Sequence, residues 1–164
     1  MIKMKYRSWL KTVFAASSLL ITCAIPHKGY AQQGFGIGGI VGEPSGVSVK
    51  YWIDRTSAFD AAFAWSLVDN SPFQFHADYL MHGASLTGSS SEAKGSLPWY
   101  FGFGGRVKNI NNESHIGIRV PLGITYLVSD APLDIFAEIS PVLDVTPSVN
   151  LNWNGGVGVR FYFH

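Results

Sequence analysis

The chain has 164 residues, with 12 lysines and arginines against 11 acidic residues, a single cysteine and an aromatic content of 14%. Five of the basic residues (Lys3, Lys5, Arg7, Lys11, Lys28) fall in the first 31 positions and no acid does, so the remainder carries seven basic against eleven acidic residues, a formal charge of −4. That balance excludes a nucleic-acid partner, which needs clustered Lys and Arg, and one cysteine supports neither a disulfide framework nor a thiolate metal site.

The N-terminus has the layout of a signal peptide: a basic start, an apolar run from Val13 to Ile25, and small residues at Gly29 and Ala31. The apolar run is shorter than the roughly 20 residues a membrane helix needs. Cleavage is expected between Ala31 and Gln32, giving residues 1–31 as leader and 32–164 as the folded domain. A rival reading takes Leu20-Ile21-Thr22-Cys23 as a lipoprotein acylation site, but Thr22 is a poor fit where a smaller residue is usual. The remaining stretch of about 133 residues makes one domain by length.

From there the dominant period is two, the signature of strands with two unlike faces. Phe35 to Val41 is Gly-rich and weak, and Gly46 to Ile53 alternates Val47, Val49, Tyr51 and Ile53 with Ser48, Lys50 and Trp52. Phe59, Ala61, Phe63, Trp65 and Leu67 then oppose Asp60, Ala62, Ala64 and Ser66. Phe73, Phe75, Ala77, Tyr79 and Met81 oppose Gln74, His76, Asp78, Leu80 and His82. The Ser/Gly-rich stretch from Gly83 to Gly95 is expected to be a loop. Beyond it Trp99, Phe101, Phe103 and Val107 oppose Tyr100, Gly102, Gly104 and Arg106.

A loop over Asn109 to Glu113 shifts the phase by one, so that Ile116, Ile118, Val120, Leu122, Ile124 and Tyr126 oppose Gly117, Arg119, Pro121, Gly123 and Thr125. Leu133, Ile135, Ala137, Ile139 and Leu143 oppose Asp134, Glu138, Ser140 and Asp144, with Phe136 and Val142 breaking the pattern. The last segment sets Leu151, Trp153, Val157, Val159, Phe161 and Phe163 against Asn152, Asn154, Gly156, Gly158, Arg160 and Tyr162. Turn residues separate the segments, as in Glu43-Pro44-Ser45-Gly46, Asp54-Arg55-Thr56 and Asp130-Ala131-Pro132.

Eight segments of about ten residues suit tilted strands that cross a bilayer. The fold class expected is all-β, a closed antiparallel up-and-down transmembrane barrel of about eight strands. The charges assign the faces. Lys50, Asp60, Asp78, Arg106, Arg119, Asp134, Glu138 and Arg160 lie mid-segment on the minority face, and the apolar face of the eight segments carries no lysine or arginine. A barrel of eight strands has an interior that side chains just fill, and these eight are expected to form a structural charge network there. Aromatic residues near segment ends (Tyr51, Phe59, Phe73, Tyr79, Trp99, Tyr126, Trp153, Phe163) would make the interfacial girdles. A secreted lipocalin-like binder is the soluble alternative, but its wet face would carry more charge.

Several stretches carry a resemblance: Gly42-Glu43-Pro44-Ser45-Gly46, Lys50-Tyr51-Trp52, Ala77-Asp78-Tyr79-Leu80, Gly104-Gly105-Arg106, Ile118-Arg119-Val120-Pro121-Leu122-Gly123, Ala131-Pro132-Leu133-Asp134-Ile135-Phe136 and Gly155-Gly156-Val157-Gly158-Val159-Arg160. Over residues 34 to 163 the chain resembles a family of short bacterial outer-membrane barrels similar in build to OmpX and the membrane domain of OmpA. The resemblance implies the outer membrane, with lipid, lipopolysaccharide and the barrel-assembly machinery as partners, and a monomer. It departs at the end, where His164 follows the expected terminal aromatic, and at Gly83 to Gly95, a long connection on the side where turns are normally short.

No catalytic residue, metal ligand or cofactor is assigned. His76, Asp78, Glu138 and Ser140 supply the types a lipid-A-modifying enzyme would use, and interior charges could line a narrow pore, but a structural or membrane-integrity role without catalysis is favoured. His82 and His115 are expected to be solvated near strand ends. Gly34-Phe35-Gly36-Ile37-Gly38-Gly39 lacks the following helix of a phosphate-binding loop.

Overall fold

The computed structural model describes residues 33–65, 73–87, 95–110 and 113–163. The proposed leader, the Ala31/Gln32 junction, Cys23 and His164 lie outside them. Ten strands are present among the described residues: β1 (Gly34–Glu43), β2 (Gly46–Trp52), β3 (Ser57–Trp65), β4 (Phe73–Ser85), β5 (Gly95–Ser96), β6 (Pro98–Ile110), β7 (Glu113–Arg119), β8 (Leu122–Val128), β9 (Leu133–Thr146) and β10 (Asn150–Phe163). All pairings are antiparallel, and the sheet closes because β10 pairs with β1 from Phe35↔Phe163 to Glu43↔Gly155.

The ten strands make eight crossings. β7 and β8 are one crossing interrupted at Val120-Pro121, since both lie between β6 and β9. Proline has no N–H to give the ladder, and the gap is bridged by bonds from Gly102 N to Pro121 O and from Val120 N to Pro141 O. β5 and β6 are likewise one crossing, broken at Leu97-Pro98, because β5 continues the pairing with β8 at Gly95↔Val128. The structure is thus a closed antiparallel eight-stranded barrel.

Two loops expected from the sequence, the long one from Gly83 to Gly95 and the short one from Asn109 to Glu113, are trimmed. β4 runs on through Gly83 to Ser85 and β5 begins at Gly95, with Leu97 N donating to Ser85 Oγ at 2.9 Å. Asn109, Ile110 and Glu113 are strand rather than loop, because β6 and β7 keep register to Ile110↔Glu113. A polar loop-like composition does not stop a strand whose neighbour still offers backbone partners.

Local chemistry sets the turns. Asp54 Oδ1 accepts from Thr56 N (2.7 Å), Thr56 Oγ1 (2.9 Å) and Ser57 N (2.8 Å), closing the β2–β3 turn. These bonds, led by that from the Thr56 amide, hold the Asp54 carboxyl below its ordinary value.

Polarity is inverted relative to a soluble protein. Among the described residues the buried set holds fifteen polar or charged side chains against eleven hydrophobic ones. The exposed face carries Phe59, Phe103, Ile118, Ile135, Val157 and Phe163, each more than half exposed. Phe136 and Val142, which break the sequence alternation, are nonetheless buried inside, at 2% and 0% exposure.

Candidate functional site

All eight charged residues singled out from the sequence lie within the lumen: Lys50, Asp60, Asp78, Arg106, Arg119, Asp134 and Arg160 are buried, and the Glu138 side chain is 8% exposed. Strand alternation puts them there, since every second residue of a barrel strand faces inward. Their contacts sort them into clusters around the four cations.

Arg160 of β10 reaches across the lumen. Its Nε donates to Ser48 Oγ at 2.9 Å, and its two terminal nitrogens reach Asp60 of β3 and, at 3.3 Å, Asp134 of β9. The guanidinium carbon lies 3.7 Å from the centre of the Phe136 ring, a cation–π contact. Tyr162 completes the cluster by donating to Asp134 Oδ2 at 2.7 Å.

Arg119 of β7 sits between two carboxylates. Its Nε is 3.1 Å from Asp78 Oδ2, and one terminal nitrogen donates to Glu138 Oε1. Tyr100 donates to Glu138 Oε2 at 3.0 Å. A glycine makes the room: a Cβ on Gly104 would lie 2.0 Å from Asp78 Oδ1 and 2.2 Å from Ala77 O.

Arg106 of β6 pairs with Asp144, at 2.6 and 2.7 Å to its two oxygens, and also donates to Asn154 Oδ1 at 3.0 Å. Asp144 in turn accepts from Asn152 Nδ2 at 2.6 Å. Asp144 was not among the eight candidates. Its place in the Asp134, Glu138, Ser140 series on β9 is the signal that points to it.

Lys50 departs from the expected ion pairing. Its ammonium lies 2.8 Å from His82 Nε2, and the rings of Trp52 and Tyr100 stand 4.4 and 5.3 Å away. His82 Nδ1 is 3.1 Å from the Thr56 carbonyl, so a neutral Nδ1–H ring donates to that carbonyl while Nε2 accepts from Lys50. The expectation of a solvated His82 is therefore corrected: the extension of β4 to Ser85 keeps its inward phase inside the barrel. His115 is half-buried at the other end.

Of the residues singled out for lipid chemistry, His76 and Asp78 are neighbours and Ser140 is bonded elsewhere. His76 Nε2 lies 3.9 Å from Asp78 Oδ2, but Ser140 donates to the carbonyl of Pro141. Among the described residues no hydrogen bond joins Ser140 to His76, and no group of three or more His, Cys, Asp or Glu is placed to hold a metal ion.

At the end opposite the chain termini, a polar cleft of about 350 Å³ opens into the lumen. Glu43, Arg106, Lys108, His115, Asp144, Ser148, Asn150, Asn152, Trp153 and Asn154 line it. Lys108 donates to Glu43 at its rim, at 2.9 Å. The other end is stopped by Trp52, Ala58, Leu127 and Tyr162, packed as one buried apolar cluster.

Fold and interior together define an eight-stranded antiparallel barrel with a charge-paired lumen and an apolar exterior. No protein-family model matches the chain, and no curated protein matches it. Among solved structures it is similar to the N-terminal beta-barrel domain of Pseudomonas aeruginosa OprF, with a TM-score of 0.57 and 16% identity over 79% of this chain and 95% of that one. At that identity the likeness concerns the fold.

Proposed function

We propose that the chain is a monomeric outer-membrane β-barrel whose lumen is plugged by its own ion pairs, serving a structural or membrane-integrity role without catalysis. The observation that carries this reading is the inverted polarity: four cations and five carboxylates are held inside while large apolar side chains are exposed around the outside. An exposed apolar surface of that extent suits acyl chains, and a lysine or arginine facing mid-bilayer would cost roughly 2–4 kcal/mol. Closure of β1 on β10 leaves no sheet edge to satisfy within lipid.

In this reading outer-membrane lipid and lipopolysaccharide surround the barrel, the barrel-assembly machinery inserts it, and the end bearing the termini faces the periplasm. The likeness of the resemblance stretches to OmpX and the OmpA membrane domain points the same way. The test is to refold residues 32 to 164 in detergent and compare boiled with unboiled samples on SDS gels, with circular dichroism on the same material. A heat-dependent mobility shift with strand-dominated spectra is expected. A chain that stays soluble without detergent and shows no shift overturns the reading.

A further inference from the structure

The cleft at the turn end has two donors, Arg106 Nε and Asn154 Nδ2, and one acceptor left over, and their identity selects a ligand class. Three carboxamides at alternate positions of β10 descend into it: Asn150 is exposed, Asn152 half-buried and Asn154 only 3% exposed. Asn154 cannot turn its amide round, because its Oδ1 accepts from Arg106 Nη1. Its Nδ2 is therefore a fixed donor, and it is buried without a partner. Asn152 is pinned the opposite way. Its Nδ2 donates to Asp144 Oδ2, so its Oδ1 is left as an acceptor, and no donor meets it among the described residues.

The charges of the cleft are already matched. Arg106 is held by Asp144 through a terminal nitrogen, with its Nε left buried and unpartnered, and Lys108 is held by Glu43, so an anion at either cation would stand against a carboxylate already there. A neutral group that accepts and donates at neighbouring atoms fits without breaking either pair. Adjacent hydroxyls do this, because each hydroxyl both donates and accepts.

We infer that the cleft is a binding site for a neutral vicinal diol, the hydroxyl face of a sugar ring, with Asn154 Nδ2 donating to one hydroxyl and Asn152 Oδ1 accepting from the next. The volume of about 350 Å³ lies at the small end of ligand sites and suits a single sugar unit. Nearby, the Arg106–Asp144 pair acts as a positioning group, fixing both carboxamides. On the reading proposed above, this end faces away from the periplasm and the sugar would come from outside the cell. The binding itself does not depend on that orientation.

The test uses the full 32–164 chain, ¹⁵N-labelled and refolded in an amine-oxide detergent, since glucoside and maltoside detergents would compete. The heat-dependent mobility shift is checked on the same sample, which separates failure of the barrel from failure of the site. Methyl β-glucoside is titrated while the side-chain amide signals of Asn152 and Asn154 are followed. Saturable shifts of both are expected, with no response to 1-propanol at equal concentration. Asn152→Leu, at a half-exposed position that tolerates the change, should weaken binding about tenfold, as loss of one directed hydrogen bond does. Asn154→Leu should do the same where it folds. Unmoved amide signals, equal response to 1-propanol, stronger binding of inorganic phosphate to the same signals, or unchanged affinity in Asn152→Leu would each overturn the inference.

Discussion

Around the Arg160 guanidinium stand Ser48, Asp60, Asp134 and the Phe136 ring, drawn from three other strands. Replacing it with leucine leaves two buried carboxylates without their cation, which costs about 3–5 kcal/mol when a buried pair is broken. Arg160→Leu should therefore lower the urea midpoint of the refolded barrel strongly, and an unchanged midpoint would mean that the carboxylates find other partners. Gly158 tests the packing beside the cluster, since a Cβ there would lie 2.4 Å from the Gly39 carbonyl oxygen of β1 and 2.5 Å from two atoms of the Phe136 ring. Gly158→Val should displace that ring and destabilise by roughly 1–3 kcal/mol through overpacking. Asp54 gives a residue-level pH prediction. Its carboxyl is held below 3.8 by the Thr56 amide first and then by the Thr56 hydroxyl and the Ser57 amide. A depressed carboxylate stabilises the turn fully above its unfolded value and loses that contribution as pH falls through the folded one, so the Thr56 amide signal should titrate with a midpoint below 3.8. A midpoint at or above it would contradict the turn geometry.

Among the elements, the crossing formed by β7 and β8 is the most irregular. Pro121 interrupts it, and Pro141 in the neighbouring β9, whose carbonyl accepts from Val120 N, has no N–H for the seam between them. Amides flanking this seam should exchange with solvent faster than those between β3 and β4, which pair without interruption from Ser57↔Met81 to Trp65↔Phe73. Equal protection across the two seams would show that the two prolines are accommodated without loss. Much of this was legible in the sequence: outside the Gly-rich first segment the alternation places the crossings on their correct faces, including the phase shift across Asn109 to Glu113. What failed is instructive. Strand ends were set by composition at Gly83 and Asn109, whereas the structure sets them by the reach of the neighbouring strand. Phe136 looked like an error of phase because an aromatic ring inside a charged lumen has a reason only once Arg160 is known to lie against it. Likewise His82 looked solvated because nothing in its own strand shows that Lys50 faces it.

At the level of the whole barrel, side chains of the described residues fill the lumen from one end to the other in succession. The cleft at the turn end gives way to the Arg106, Arg119 and Arg160 clusters, and the cluster of Trp52, Ala58, Leu127 and Tyr162 stops the end near the termini. Planar bilayers containing the refolded protein should show no discrete conductance steps in salt. Regular steps would mean that the charge clusters part to admit ions, which would turn the plugged-barrel reading into the narrow pore weighed against it. The eight candidate charges were found from the sequence because a charge in the middle of an alternating strand has few places to go. Their pairing was not, because partners such as Asp60 and Arg160 are 100 residues apart and which strands meet across a lumen depends on closure and shear rather than on local pattern.

If the barrel sits in a membrane as proposed, that separation makes the lumen a proofreading device. The cation that neutralises Asp60 and Asp134 sits on the final strand, and the serine that accepts from it sits on the second. A chain stalled before Arg160 enters the sheet would carry two uncompensated acids into lipid, a state too costly to persist. Insertion and completion are thereby coupled into a single event, and half-built barrels are disfavoured by their own contents rather than only by their unpaired edges.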